Sequence, residues 1–123
     1  MADLRELVRE VHATPGVRGA LAAGRDGLLI DAAGVNAAEA EHVAALVPGL
    51  TRAAEQVAVA AAGGEQRALV IEAERDLLVL LPLGAEVTVV AVVRADPDGG
   101  AGEALYALRR ARGRWAAAAG AGA

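Results

Sequence analysis

Side chains able to do covalent or metal chemistry are few in this chain. It has no serine, no cysteine and no lysine, and its only histidines are His12 and His42. The commonest nucleophiles and the usual zinc ligands are therefore nearly missing. His42 stands near Glu39 and Glu41, a set that leaves a metal ion short of ligands, and His12 precedes a turn. Both are read as surface or interface histidines. The segment Asp96 to Gly102 falls between a strand and a helix, where backbone N–H groups can cradle a phosphate. A phosphate loop also needs Gly-Lys-Ser/Thr, and the dinucleotide pattern G-x-G-x-x-G is absent as well, so the segment reads as a capped helix entry. No cofactor is expected.

The cations offer more. Arg109, Arg110, Arg112 and Arg114, followed by Trp115, form the one basic cluster. Such a helix can dock an acidic partner or lie on an anionic membrane, although cations near a helix C-terminus also complement its dipole. Arg52 is the one cation on the polar face of a long second helix. It could stabilise charge on a transferring phosphate as an arginine finger. The ordinary alternative is a helical ion pair with Glu55 or Glu41.

The elements that position these residues follow from periodicity. Asp3 caps a first helix in which Leu4, Leu7, Val8 and Val11 share one side, and Pro15-Gly16 ends it. Val17 to Gly24 and Leu28 to Ala32 read as strands joined by the Asp26-Gly27 turn. Asn36 caps a helix running to about Ala61. On it Ala40, Val43, Val47, Leu50, Ala54, Val57, Ala58 and Ala61 face one way, and Leu46, Ala53 and Ala60 widen that side. The apolar arc covers roughly 200°, whereas packing on one sheet takes about 100°. The excess calls for a second partner. Pro48-Gly49 lies mid-segment, to kink the helix or split it.

Three strand-like runs follow, Gln66 to Ala73, Leu77 to Leu83 and Val87 to Val93, with turns short enough for antiparallel hairpins. A last helix is expected from about Gly102 to Trp115. The order α-β-β-α-β-β-β-α describes an α+β fold, a five-stranded sheet with helices on its faces.

A chain of 123 residues suits one domain. Its net charge, 12 − 16 = −4, argues against nucleic acid as a general partner. The charged start does not read as the apolar core of a signal peptide, and Pro82, Gly84 and Glu86 break the nearest approach to a membrane span. A cytoplasmic protein without stable membrane insertion is expected.

Four stretches together resemble the Roadblock family, the dynein light-chain Roadblock-type domain. They are Pro15-Gly16-Val17-Arg18-Gly19-Ala20, Gly24-Arg25-Asp26-Gly27-Leu28-Leu29-Ile30, Leu80-Leu81-Pro82-Leu83-Gly84, and Ala95-Asp96-Pro97-Asp98 with Gly102 and the arginine-rich helix. The resemblance spans about Leu4 to Trp115, so residues 1–115 are expected to form the domain and residues 116–123 an Ala/Gly-rich flexible tail. It implies an antiparallel five-stranded sheet with the long helix on one face and the terminal helices on the other. It also implies a homodimer made by pairing the third strands and the middle helices. Similarity to the prokaryotic MglB-type members further implies binding of a small Ras-like GTPase across the paired helices and stimulation of its hydrolysis by reshaping the GTPase rather than by inserting an arginine.

On that basis the expected dimer core is Val43, Leu46, Leu50, Ala53 and Val57 with Leu69, Val70 and Ile71. The expected partner face is the polar arc Glu41, Ala45, Arg52, Glu55 and Gln56. The leading reading is a non-catalytic homodimeric module that regulates a Ras-like GTPase. The alternative is a signalling or membrane-assembly scaffold with no GTPase partner. An enzyme is disfavoured, because no residue set supplies nucleophile, base and orienter together.

Overall fold

The computed structural model describes residues 4–95 and 100–121. Asp3, the expected cap of the first helix, and the loop 96–99 lie outside the described residues. The elements are α1 (Leu4–His12), β1 (Val17–Gly24), β2 (Leu29–Ala33), α2 (Ala37–Ala61), β3 (Leu69–Glu72), β4 (Asp76–Pro82), β5 (Val87–Arg94) and α3 (Gly100–Ala121). The strands form one antiparallel sheet in the order β2-β1-β5-β4-β3. This is the expected α+β architecture, with α2 on one face and α1 and α3 on the other.

Strand register sorts the side chains between two cores. On the α2 face a row crosses the sheet through Ala32, Leu21, Val90, Leu80 and Leu69. One residue along, Ala33, Ala20, Ala91, Val79 and Val70 point to the opposite face. There Leu7, Val8 and Val11 of α1 and Ala104, Leu108 and Trp115 of α3 complete the larger core. The near-continuous apolar runs in β4 and β5 follow from this, because strands in the middle of a covered sheet bury both faces. Burying a Val or Leu side chain stabilises by about 1.5–3 kcal/mol, so a core with one tryptophan and no phenylalanine is sufficient.

The β1–β2 connection is a local device. Leu28 N donates to the Asp26 carboxylate at 3.1 Å, and Gly27 takes φ +81°, a conformation that glycine adopts without strain. The turn comes close to α2: a Cβ on Gly27 would lie 3.5 Å from the Ala45 Cα.

Most element ends shift from the sequence reading by one or two residues, and three differences are larger. β3 spans only Leu69–Glu72 rather than Gln66 to Ala73, because Gln66 is held by α2. Its Nε2 donates to Thr51 O at 2.6 Å and its backbone N to Glu55 Oε2 at 3.0 Å. α2 is one continuous helix of 25 residues, neither ended nor split at Pro48-Gly49. α3 continues past Trp115 to Ala121, as the high helix propensity of its alanines favours.

Candidate protein-interaction surface

α2 positions most of the candidate residues. Asn36 caps it, its side-chain oxygen accepting from Ala38 N at 2.9 Å and Glu39 N at 3.3 Å. Of its 25 residues only Ala40, Ala44 and Val47 are fully buried. They lie at i, i+4 and i+7, and their small size lets the helix sit close on β1 and β2.

A quarter-turn round the helix runs the stripe Val43, Leu46, Leu50, Ala53 and Val57. Val43 is half-buried against the core, but Leu46 is 54%, Leu50 39% and Val57 65% exposed, and Ala53 is exposed as well. The spacing of three, four, three, four is that of a helix-pairing seam. A contiguous apolar stripe facing water is a candidate surface for another protein to cover.

The uncovered part of the sheet adjoins this stripe. α2 packs mainly on β1 and β2, so Leu69, Ile71 and Leu78 on the same face are only half-buried. β3 is an edge strand whose one neighbour in the sheet is β4, which leaves backbone donors and acceptors open to pairing. Leu69, Val70 and Ile71 do not form one surface, however. Leu69 and Ile71 face α2, whereas Val70, 41% exposed, points to the α1–α3 face.

The polar arc divides too. Glu41, Ala45, Arg52 and Gln56 are exposed along one side of α2. Glu55 is half-buried, and its carboxylate accepts from Gln66 N. It braces the chain entering β3 instead of facing outward. Arg52 forms no ion pair with Glu55 or Glu41, and makes none among the described residues. It lines a cleft of about 320 Å³ together with Thr51, Arg25 and Glu86. Arg25 and Glu86 form an ion pair at 3.7 Å between the two hairpins. Sequence reasoning missed Gln66, Arg25 and Glu86. The first was absorbed into an apolar strand, and the other two meet across strands β1 and β5, which no sequence spacing reveals.

The arginine cluster is not one uniform solvated face. Arg112 donates to Pro82 O at 2.9 Å, Arg114 pairs with Glu10 of α1, and Arg110 lies over the Tyr106 ring. His42 is exposed and His12 half-buried. Among the described residues no three His, Cys, Asp or Glu gather in a group able to hold a metal ion. None of the described helices is long and apolar enough to cross a membrane.

The model of the Roadblock/LC7 domain matches residues 3–94. The chain belongs to the Roadblock/LC7 family. Solved Roadblock structures agree with this fold. A Roadblock/LC7 domain from Streptomyces avermitilis superposes with a TM-score of 0.70 at 22% identity, covering 93% of this chain and 98% of that one. MglB of Myxococcus xanthus gives 0.70 at 16% identity, covering 87% and 89%. An MglB solved in a tetrameric arrangement gives 0.68 at 22%, covering 90% and 85%. No curated protein matches the chain by sequence. Roadblock domains are generally non-catalytic, and the family includes MglB-type regulators of small GTPases.

Proposed function

We propose that this Roadblock protein is a non-catalytic homodimer that regulates a small Ras-like GTPase. The exposed seam of α2 carries the reading. Packing it against the same seam of a second copy removes Leu46, Leu50, Ala53 and Val57 from water. The same helix of the second copy would cover Leu69, Ile71 and Leu78 beside it. Antiparallel pairing of two β3 edges supplies partners for their open backbone groups. A two-fold interface of this kind is self-complementary, as the commonest protein dimers are. The tetrameric arrangement of a similar MglB lends support to self-assembly.

In such a dimer Glu41, Ala45, Arg52 and Gln56 line the outer surface of the paired helices, which is where a GTPase would sit. Arg52 helps to bind there, and the GTPase keeps its own catalytic groups. The test is GTP hydrolysis by a Ras-like GTPase encoded in the same genome, with and without this protein. Stimulation is expected, and Arg52→Ala is expected to retain it at saturating protein. Loss of stimulation at saturation in Arg52→Ala would establish an arginine finger instead. No binding and no stimulation would leave the scaffold without a GTPase partner as the better description.

A further inference from the structure

A second surface lies on the opposite face of the sheet. Arg67 and Ala68, just before β3, face Tyr106, Arg109, Arg110, Arg112 and Gly113 of α3 across a cleft of about 520 Å³. Four of the chain's arginines thus line one concavity in a molecule of net charge −4. Among the described residues no carboxylate lines it, and Glu65 borders the adjoining cavity that shares Arg67 and Arg109. Arg67 and Arg109 make no ion pair among the described residues, although the chain has more acidic than basic residues to offer. Arg110 is held over the Tyr106 ring at 5.7 Å, and Arg112 is anchored on Pro82 O while its Nε is buried without a partner. Two guanidinium groups are therefore positioned in advance and two are free to close on a ligand.

We propose that this cleft binds an acidic peptide segment of a partner protein. Like-charged side chains converging without counter-charges favour an anionic occupant. Guanidinium groups recognise carboxylates through paired, charge-assisted hydrogen bonds. The wall from Tyr106 to Gly113 is about 10 Å long at 1.5 Å per residue, which matches about three residues of extended peptide. A single small anion meets only part of that length. Ala68 and Gly113 leave room for a peptide backbone between the arginines. A membrane fits less well. Leu105, Leu108 and Trp115 of α3 turn inward, so the outer face has only Tyr106 as a large side chain to insert. The proposal does not require dimerisation, but Arg67 and Arg109 also border a cavity shared with Val57 of the α2 seam and with Leu69 and Val70 of β3, so self-association is measured beside peptide binding.

The experiment is fluorescence anisotropy of a fluorescein-labelled deca-glutamate peptide with the full chain at low salt. Saturable binding that weakens as salt is added is expected. The double variant Arg67→Glu/Arg109→Glu is expected to weaken it about ten-fold or more, with circular dichroism and sedimentation unchanged. Arg75→Ala, in the turn between β3 and β4, removes one charge and is expected to keep the affinity within about two-fold. Absence of binding overturns the proposal, and so does equal binding by the double variant or an equal loss in Arg75→Ala. Inorganic phosphate competing as well as the peptide at matched ionic strength would show a plain anion site. Phosphatidylserine vesicles or single-stranded DNA binding at the same arginines more tightly than the peptide would show a lipid or nucleic-acid surface. Either result would replace the peptide.

Discussion

At the scale of single residues the structure depends on a few close approaches. Gly34 sits between β2 and α2 with φ +73°, and a Cβ there would lie 2.5 Å from Arg18 O and 2.7 Å from His12 Nε2. Gly34→Ala combines an unfavourable backbone with a clash against main chain, so a loss on the order of 2–4 kcal/mol in urea unfolding is expected. Gln66 is the second such position. Gln66→Ala removes the 2.6 Å bond to Thr51 O and is expected to cost about 1 kcal/mol. The same unfolding curves measure it. Neither role was legible in the sequence. In the sequence Gly34 merely falls between the second strand and the Asn36 cap, and its constraint comes from His12 and Arg18, residues distant along the chain. Glu55 read as an outward carboxylate because its helical angle falls at the border between the polar arc and the buried stripe. Only the return of the chain through Gln66 decides which way it turns.

At the scale of elements, local chemistry carried most of the information. Asn36 as a cap, Asp26-Gly27 as a turn and the excess width of the α2 apolar arc all follow from the sequence, and each is found in the fold. The excess width now has a shape: a narrow buried stripe of Ala40, Ala44 and Val47 beside an exposed seam. What periodicity could not supply was the outcome at Pro48. Proline lacks the N–H that Ala44 O would accept, yet α2 is continuous through it. Two kinds of interaction can hold the helix on either side: the Asn36 cap with Ala40 and Ala44 against the sheet before it, and the Gln66 bonds to Thr51 and Glu55 after it. Pro48→Ala restores the missing donor and is expected to stabilise the protein by about 1–3 kcal/mol, seen as a higher urea midpoint with an unchanged slope. The short β3 has the same origin as its bracing. Once Gln66 is tied to α2, residues 66–68 have left the ladder, and the edge open for pairing is Leu69–Glu72.

At the scale of the whole molecule the two faces of the sheet differ in how completely they are covered. α1 and α3 close one face, with Leu108 and Trp115 of α3 packed in one core with Leu81 and Val89, whereas α2 leaves the β3–β4 side of the other face half open. A chain this rich in alanine buries little area per residue, so an unclosed apolar strip is a substantial share of what it could bury. The proposed regulation depends on pairing of two copies through that strip, because the outer surface proposed to meet a GTPase would take shape only when two α2 helices lie side by side. Sedimentation velocity of the wild type beside Leu50→Glu tests this most directly. The wild type is expected to sediment as a dimer, and the charged variant as a folded monomer with unchanged circular dichroism. A monomeric wild type, or a dimer that survives Leu50→Glu, would contradict pairing through the α2 seam.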